Sequence, residues 1–259
     1  MVKQLLNNFF FTLSTFSKIP TPYIEYNKAN TKYTFLCLPL VGVVLGLIYY
    51  GSYLALDYFI DESMVIAIIL IIVNIEVTGG IHLDGLLDSL DAFKSYRDYD
   101  DKKRIIKDSR IGAFALIHYS AILLIYFVAY YYMAELGLGM LLLVTPILSR
   151  SFVLLLICNN KREKNDMLDD LVSDEIVKKH VIIVFSFVAI ATVISYFFWN
   201  IDSFGVLMLG TMGYLMYFNK MYKRHFKEMN GDLCGYCITS IEYIAPIILV
   251  IYTIVLPYI

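Results

Sequence analysis

The sequence predicts an all-α fold: a polytopic integral membrane bundle of about seven transmembrane helices, with its N-terminus in the cytoplasm. Three observations carry that prediction. Of the 259 residues, 59% are hydrophobic and 17% charged, where a soluble domain has about 45–50% and about 25%, and the mean hydropathy is +0.67. The apolar excess is gathered into runs close to the ~20 residues that a helix needs to cross a bilayer. Every one of the 21 Lys/Arg residues except Arg150 lies in connections on one side of those runs, and the positive-inside rule makes that side cytoplasmic.

Taken in order, residues 1–34 carry no small-residue cleavage site and are interrupted by Asn7 and Asn8. They read as a retained interfacial amphipathic segment and not as a signal peptide. The apolar runs are 35–56, 64–78, 111–133, 138–158, 180–199, 203–219 and 233–257. The second is short: ~15 residues rise only ~22 Å against ~30 Å of hydrocarbon. Its helix must therefore continue toward residue 79 and beyond, or the bilayer must thin there. The connections on the far side carry Asp57, Asp61, Glu62, Glu135 and Asp202 without a single Lys or Arg, which puts the C-terminus outside. Trp199 and many tyrosines suit interfacial belts. No internal repeat or low-complexity linker divides the chain, so residues 1–259 read as one membrane domain. Cys37 and Cys158 belong to apolar helices, and Cys234-x-x-Cys237 stands alone without a second ligand pair. Neither a disulfide framework nor a zinc site is expected. The net charge of −2 is segregated by loop and points to no nucleic-acid partner.

The chemistry concentrates in residues 76–110. Asp84, Asp88 and Asp91 stand at i, i+4 and i+7, a spacing that returns them to one face of a helix. Their neighbours Ile81, Leu83, Leu86, Leu87, Leu90 and Phe93 are apolar, so this helix lies against membrane or protein. Three carboxylates on one such face call for a cation, and hard oxygen ligands suit Mg²⁺. Thr78-Gly79-Gly80 ahead of them lets the backbone bend or approach a ligand closely. His82 is a candidate for orienting substrate or moving a proton, and Glu76, closing an apolar run, is a candidate metal ligand. The basic residues that follow, Lys102, Lys103, Arg104, Lys107 and Arg110, suit phosphate. Lys107-Asp108-Ser109-Arg110 stands at the start of the third span, where donors crowded at a helix N-terminus hold an anion. Arg150 inside the fourth span either snorkels to the interface or pairs with a carboxylate or a substrate phosphate. Asp166, Asp169, Asp170 and Asp174 form a second acidic group in polar surroundings and read as a solvated face. Asp232, after Asn230-Gly231, is a cap or turn residue or a site residue, and Glu242 in the last span pairs with another buried polar group.

Thr78-Gly79-Gly80-Ile81-His82-Leu83-Asp84-Gly85, with Asp88 and Asp91 behind it, resembles the hallmark of the cobalamin synthase family (adenosylcobinamide-GDP ribazoletransferases). Lys107-Asp108-Ser109-Arg110-Ile111-Gly112 is similar to that family's second signature. Phe35 to Gly46 and Gly231-Asp232…Gly235 with Glu242 resemble its first span and its C-terminal block. Asn230 and Cys234 depart from the small residues expected in that block, and 159–179 matches none of these motifs.

The resemblance implies a Mg²⁺-dependent, multi-span transferase of the bacterial or archaeal cell membrane, with its site on the cytoplasmic side. Such an enzyme joins adenosylcobinamide-GDP to α-ribazole or its 5′-phosphate and releases GMP. On that reading Asp84, Asp88 and Asp91, with Glu76, hold the metal. Lys107, Arg110 and Ser109, with Arg104, Arg150 and Asp232, bind phosphate and substrate. Asp84, Asp88 or His82 serves the proton transfer. A homo-oligomer is compatible with the sequence. The residues alone also admit a CDP-alcohol phosphotransferase or an aspartate-rich prenyltransferase, both of which use Asp-bearing helices and Mg²⁺. A cation transporter running through Glu76, Arg150 and Glu242 is the more distant alternative.

Overall fold

The computed structural model describes residues 2–27, 31, 33–108, 110–164, 166–172, 174–198 and 201–255. In chain order the helices are α1 (Val2–Phe16), α2 (Thr34–Phe59), α3 (Ser63–Thr78), α4 (Ile81–Lys94), α5 (Tyr99–Ile106), α6 (Ala113–Glu135), α7 (Leu141–Asn159), α8 (Met167–Leu171), α9 (Asp174–Phe198), α10 (Ile201–His225) and α11 (Gly231–Val255). The described residues contain no strand, only an isolated parallel bridge between Arg162 and Met229.

All seven apolar runs are helices, but they are not equivalent. Among the described residues four helices, α2, α6, α7 and α11, are long and apolar enough to cross a membrane. The pair α3 and α4 makes a fifth span only if its 95° bend is ignored. The short second run thus continues past residue 79 only through a bend. Its helix stops at Gly79 and Gly80, whose φ angles of 69° and 74° lie in the left-handed region that glycine enters at no steric cost. The chain restarts as α4 across the axis of α3. α9 carries an apolar stretch at 179–194 among the described residues. α10 dilutes its run with Gly205, Gly210, Gly213, Thr211 and Asn219. Trp199 lies outside the described residues.

α7 is the axis of the bundle, with 94% of its most apolar stretch buried, whereas the corresponding figure for α6 is 22%. α6 turns Leu116, Ile117, Leu124 and Ile125 outward, a stripe that suits lipid and would be costly in water. α2 meets α7 at a G-x-x-x-G pattern: a Cβ on Gly42 would run into the Pro146 carbonyl, and one on Gly46 into that of Leu143. Backbones approach this closely only through such small residues.

The N-terminal segment is more than interfacial. Asn8 and Thr12 of α1 are fully buried, and Asn8 Oδ1 accepts a 2.7 Å bond from the Tyr33 N–H. The segment after α1 is pinned where Lys18 N–H donates to the Val77 carbonyl at 2.9 Å. The loop between α7 and α8 is held to the start of α11 by two backbone bonds of 2.8 Å, Glu163 N–H to Met229 O and Met229 N–H to Lys161 O. The charged connections thus gather at one end of the bundle. That end holds the candidate site.

Candidate active site at the crossing of α4 and α11

α4 presents its apolar face, Leu86 and Leu90, to Ala115, Ile122 and Tyr236. On its other side it crosses the first turns of α11 in backbone contact. A Cβ on Gly85 would lie 2.7 Å from the Asp232 carbonyl oxygen, and one on Gly235 would lie 3.1 Å from the His82 carbonyl oxygen and 3.4 Å from Gly85 Cα. Two glycines on facing helices therefore set how near Asp84 and Asp88 come to Asp232.

A fourth acid joins from outside both helices. Asp166 Oδ2 caps α8 by accepting from Leu168 N–H at 3.3 Å and also accepts from Gly231 N–H at 3.2 Å. The spacing of Asp166 with Asp170 and Asp174 is not used as a continuous helix face, because α8 ends at Leu171 and a new helix begins at Asp174. The side chains of Asp170 and Asp174 lie outside those described.

Asp84, Asp166, Asp232 and His82 border a cavity of about 260 Å³ whose remaining wall includes Phe16, Phe35, Leu38, Val153, Ile157 and Ile238. Asp84 is exposed at its edge, whereas His82 is buried. Burial, then the Asp84 and Asp91 carboxylates, push the Asp88 carboxyl up to about 6. Asp232 lies among the carboxylates of Asp88, Asp166, Asp84 and Glu163. Among the described residues no cationic side chain pairs with Asp84, Asp88, Asp91 or Asp232. Asp91 turns toward the N-terminus of α6, where a Cβ on Gly112 would collide with its carboxylate; the partial positive charge of a helix start suits an anion there.

Among the described residues no three His, Cys, Asp or Glu side chains converge tightly enough to form a preassembled metal cage. The carboxylates present are nonetheless of the kind that suits Mg²⁺, which takes one or two protein carboxylates and completes its shell with water and substrate phosphate. His82 lies nearly parallel to Phe16 at 6.0 Å between ring centroids, and its Nε2 has no hydrogen-bond partner. Burial, with the Arg150 guanidinium, holds its imidazole well below the usual range and so neutral.

The other predicted residues are placed as follows. Glu76 is exposed at the end of α3, 3.7 Å from Lys18 Nζ, and does not border the cavity. Lys107 Nζ donates to Glu163 Oε1 at 2.7 Å, and Lys103 Nζ lies 3.1 Å from the same oxygen. Glu163 Oε2 accepts from Asn230 Nδ2 at 3.4 Å, so these ammonium groups stand beside the start of α11. Arg104 pairs with Asp101 at 3.6 Å in solvent. Arg110 makes a fork on Asp108, Nε to Oδ1 at 3.0 Å and Nη2 to Oδ2 at 2.7 Å, also exposed. Ser109 lies outside the described residues. Arg150 does not reach the interface: it is fully buried and its Nη1 donates to Glu242 Oε1 and Ser149 Oγ. All four cysteines are free and buried.

Sequence reasoning missed Glu163 and the closing role of Asp166. Each acts on partners more than 50 residues away, and the one local signal was the capping position of Asp166 ahead of Met167-Leu168.

A family model described as cobalamin-5-phosphate synthase matches residues 8–250. An adenosylcobinamide-GDP ribazoletransferase of Clostridium perfringens (strain SM101) is 29% identical over 234 residues, which is 90% of this chain and 92% of the relative. One of Clostridium botulinum (strain Langeland) is 29% identical over 242 residues, covering 91% and 94%. Another, of Clostridium botulinum (strain Eklund 17B), is 33% identical over 153 residues, covering 59% and 61%. No solved structure matches the chain.

Proposed function

The chain belongs to the cobalamin-5-phosphate synthase family, and from that we propose that it is an adenosylcobinamide-GDP ribazoletransferase of the cell membrane, Mg²⁺-dependent, with its site on the cytoplasmic side. The observation that carries the reading is a pair of carboxylates without cationic partners among the described residues, Asp84 and Asp232, at the mouth of an apolar cavity, with Asp88 close by. Anions left together at such a place need a cation brought from outside, and a diphosphate substrate brings Mg²⁺ with it. The gathering of basic loops at that end supports the orientation.

In the reaction a ribose hydroxyl of α-ribazole, free or as its 5′-phosphate, attacks the phosphorus that bears cobinamide. The P–O bond to the bridging oxygen breaks, and GMP leaves with the electron pair. Asp84 and Asp88, with Asp91 and Asp232 adjoining, hold the metal. When bound, Mg²⁺ neutralises charge on the transferring and departing phosphates. A mouth carboxylate, Asp232 or Asp84, takes the hydroxyl proton. Lys107 and Arg110, each held by a carboxylate, exchange that anion for a substrate oxygen when the donor arrives. Most of the rate comes from positioning and electrostatics, so no covalent enzyme intermediate is required.

The test is GMP release by the purified chain in liposomes, given adenosylcobinamide-GDP and α-ribazole 5′-phosphate. GMP should appear together with the completed corrinoid, and EDTA should abolish both. No release by folded protein with Mg²⁺ present would overturn the reading and turn attention to CDP-alcohol and prenyl-diphosphate substrates.

A further inference from the structure

A second concave site lies between α1, α2 and α9 and shares no lining residue with the cavity at the α4–α11 crossing. It is a groove of about 400 Å³. Two seams line it: Tyr33, Leu36 and Leu40 at and along the start of α2, and Lys179, Ile183 and Phe187 along α9. Steps of three and four residues keep each seam on one face of its helix. The polar heads of the seams meet, with Lys179 Nζ 5.9 Å from the centre of the Tyr33 ring. Below them every step is apolar. From Lys179 to Phe187 is about 12 Å along the axis, most of the ~15 Å depth of one leaflet of hydrocarbon. α1 contributes Gln4 and Leu5 to the border, and Leu5 and Leu40 are 48% and 41% exposed.

We propose that this groove binds one anionic phospholipid, its phosphate at Lys179 and Tyr33 and one acyl chain laid along Leu36, Leu40, Ile183 and Phe187. The proposal is independent of the transferase reading.

Shape and charge select the occupant together. Tyr33 and Lys179 belong to the ends of α2 and α9 that face the charged connections, so the heads of the seams lie at headgroup level and the tails in hydrocarbon. An ammonium has three donors, so Lys179 can face the Tyr33 ring and still reach a phosphate oxygen. Among the described residues no acid lines the groove. Lys3, exposed, adjoins Gln4 in the chain. Lys32 and Lys178, whose side chains lie outside those described, adjoin Tyr33 and Lys179 in sequence. Basic residues at a membrane surface favour anionic over zwitterionic lipid. A free phosphate would leave the apolar seams uncovered. A partner helix, about 10–12 Å across with its side chains, is too wide for walls one row deep, whereas a single hydrocarbon chain fits them.

Native mass spectrometry of the full chain in detergent, titrated with phosphatidylglycerol or with phosphatidylcholine of the same acyl chains, tests this. The first phosphatidylglycerol should bind roughly fivefold more tightly than the first phosphatidylcholine. Lys179→Gln should erase that preference. Lys223→Gln, which removes an equal charge from the exposed end of α10, should keep it. Leu40→Trp, which fills the seam, should weaken both lipids at least fivefold, and excess inorganic phosphate should displace neither. On the unchanged chain, vesicles of phosphatidylglycerol carrying a photoreactive acyl tail should crosslink at 36–40 and 183–187, a reading that needs no variant to fold. The proposal is overturned by a preference that survives Lys179→Gln or falls equally in Lys223→Gln. Wild-type lipid binding by Leu40→Trp, displacement by inorganic phosphate, or crosslinks gathered on α6 instead would overturn it as well.

Discussion

Arg150 and Glu242 meet inside the bundle as cation and anion, both almost wholly buried. Ten residues earlier on the same helix α11, about 15 Å along its axis, Asp232 stands near Asp84 and Asp88 with no cationic partner among the described residues. The two groups share an apolar setting and differ in where their counter-charge comes from. The first is neutralised from within the chain, so it belongs to folding. The second is left open, so it belongs to whatever binds. A charge held in a low-dielectric place is tolerable only with a partner, and the source of that partner separates scaffold from site.

Four outcomes would break or sharpen this contrast. The largest is expected from Glu242→Ala, which strands a fully buried guanidinium. Unfolding of the purified chain in detergent should show a loss of about 3–5 kcal/mol, the same with and without Mg²⁺. A neutral result would mean the pair is not a lock. Asp84→Asn should do the reverse. GMP release should fall by about 10²–10³-fold, and the melting temperature without Mg²⁺ should hold or rise, since one of several repelling anions is gone. If the fold is lost instead, the two groups are alike after all. Gly85→Ala comes third, because its Cβ would meet main chain at 2.7 Å. Overpacking of that kind costs about 1–3 kcal/mol, and Gly235→Ala, at 3.1 Å, should cost less.

The fourth is a pH effect. Asp88 has its carboxyl raised to about 6, so between the ordinary carboxylate value and about 6 the folded chain binds more protons than the unfolded one. Without divalent cations, stability should fall as pH rises through that window and level off above it. Because a metal must displace the proton, apparent Mg²⁺ affinity should drop by up to about tenfold per unit below about 6. Both trends, read by melting curves across pH, should flatten in Asp88→Asn.

What could be read from the chain without coordinates follows a physical line. Apolar runs reported every long helix, because burial in lipid or core is a property of the run itself. The i, i+4, i+7 carboxylates and the Gly79-Gly80 break were legible because they are local. The 95° angle at which α4 leaves α3 was not, since it depends on what packs around the break. Pairings over long separations were equally hidden. Arg150 offered two partners in sequence and took the one 92 residues away. Lys107, read as a phosphate ligand, rests on Glu163. Asp166 looked solvated because its neighbours in sequence are polar, whereas its neighbours in space are Gly231 and the cavity.

The contact between Gly85 and Asp232 has a consequence in time. Helices leave the ribosome in order, and α4 enters the membrane long before α11 exists. Until the last helix arrives, the floor at Ile238, the acid at Asp232 and the anchor for Asp166 are all missing. A nascent chain therefore has the acids of α4 but no cavity beside them to receive a diphosphate. Competence is conferred in one stroke by the final insertion, and a partly synthesised chain stays inert toward its substrates while it waits.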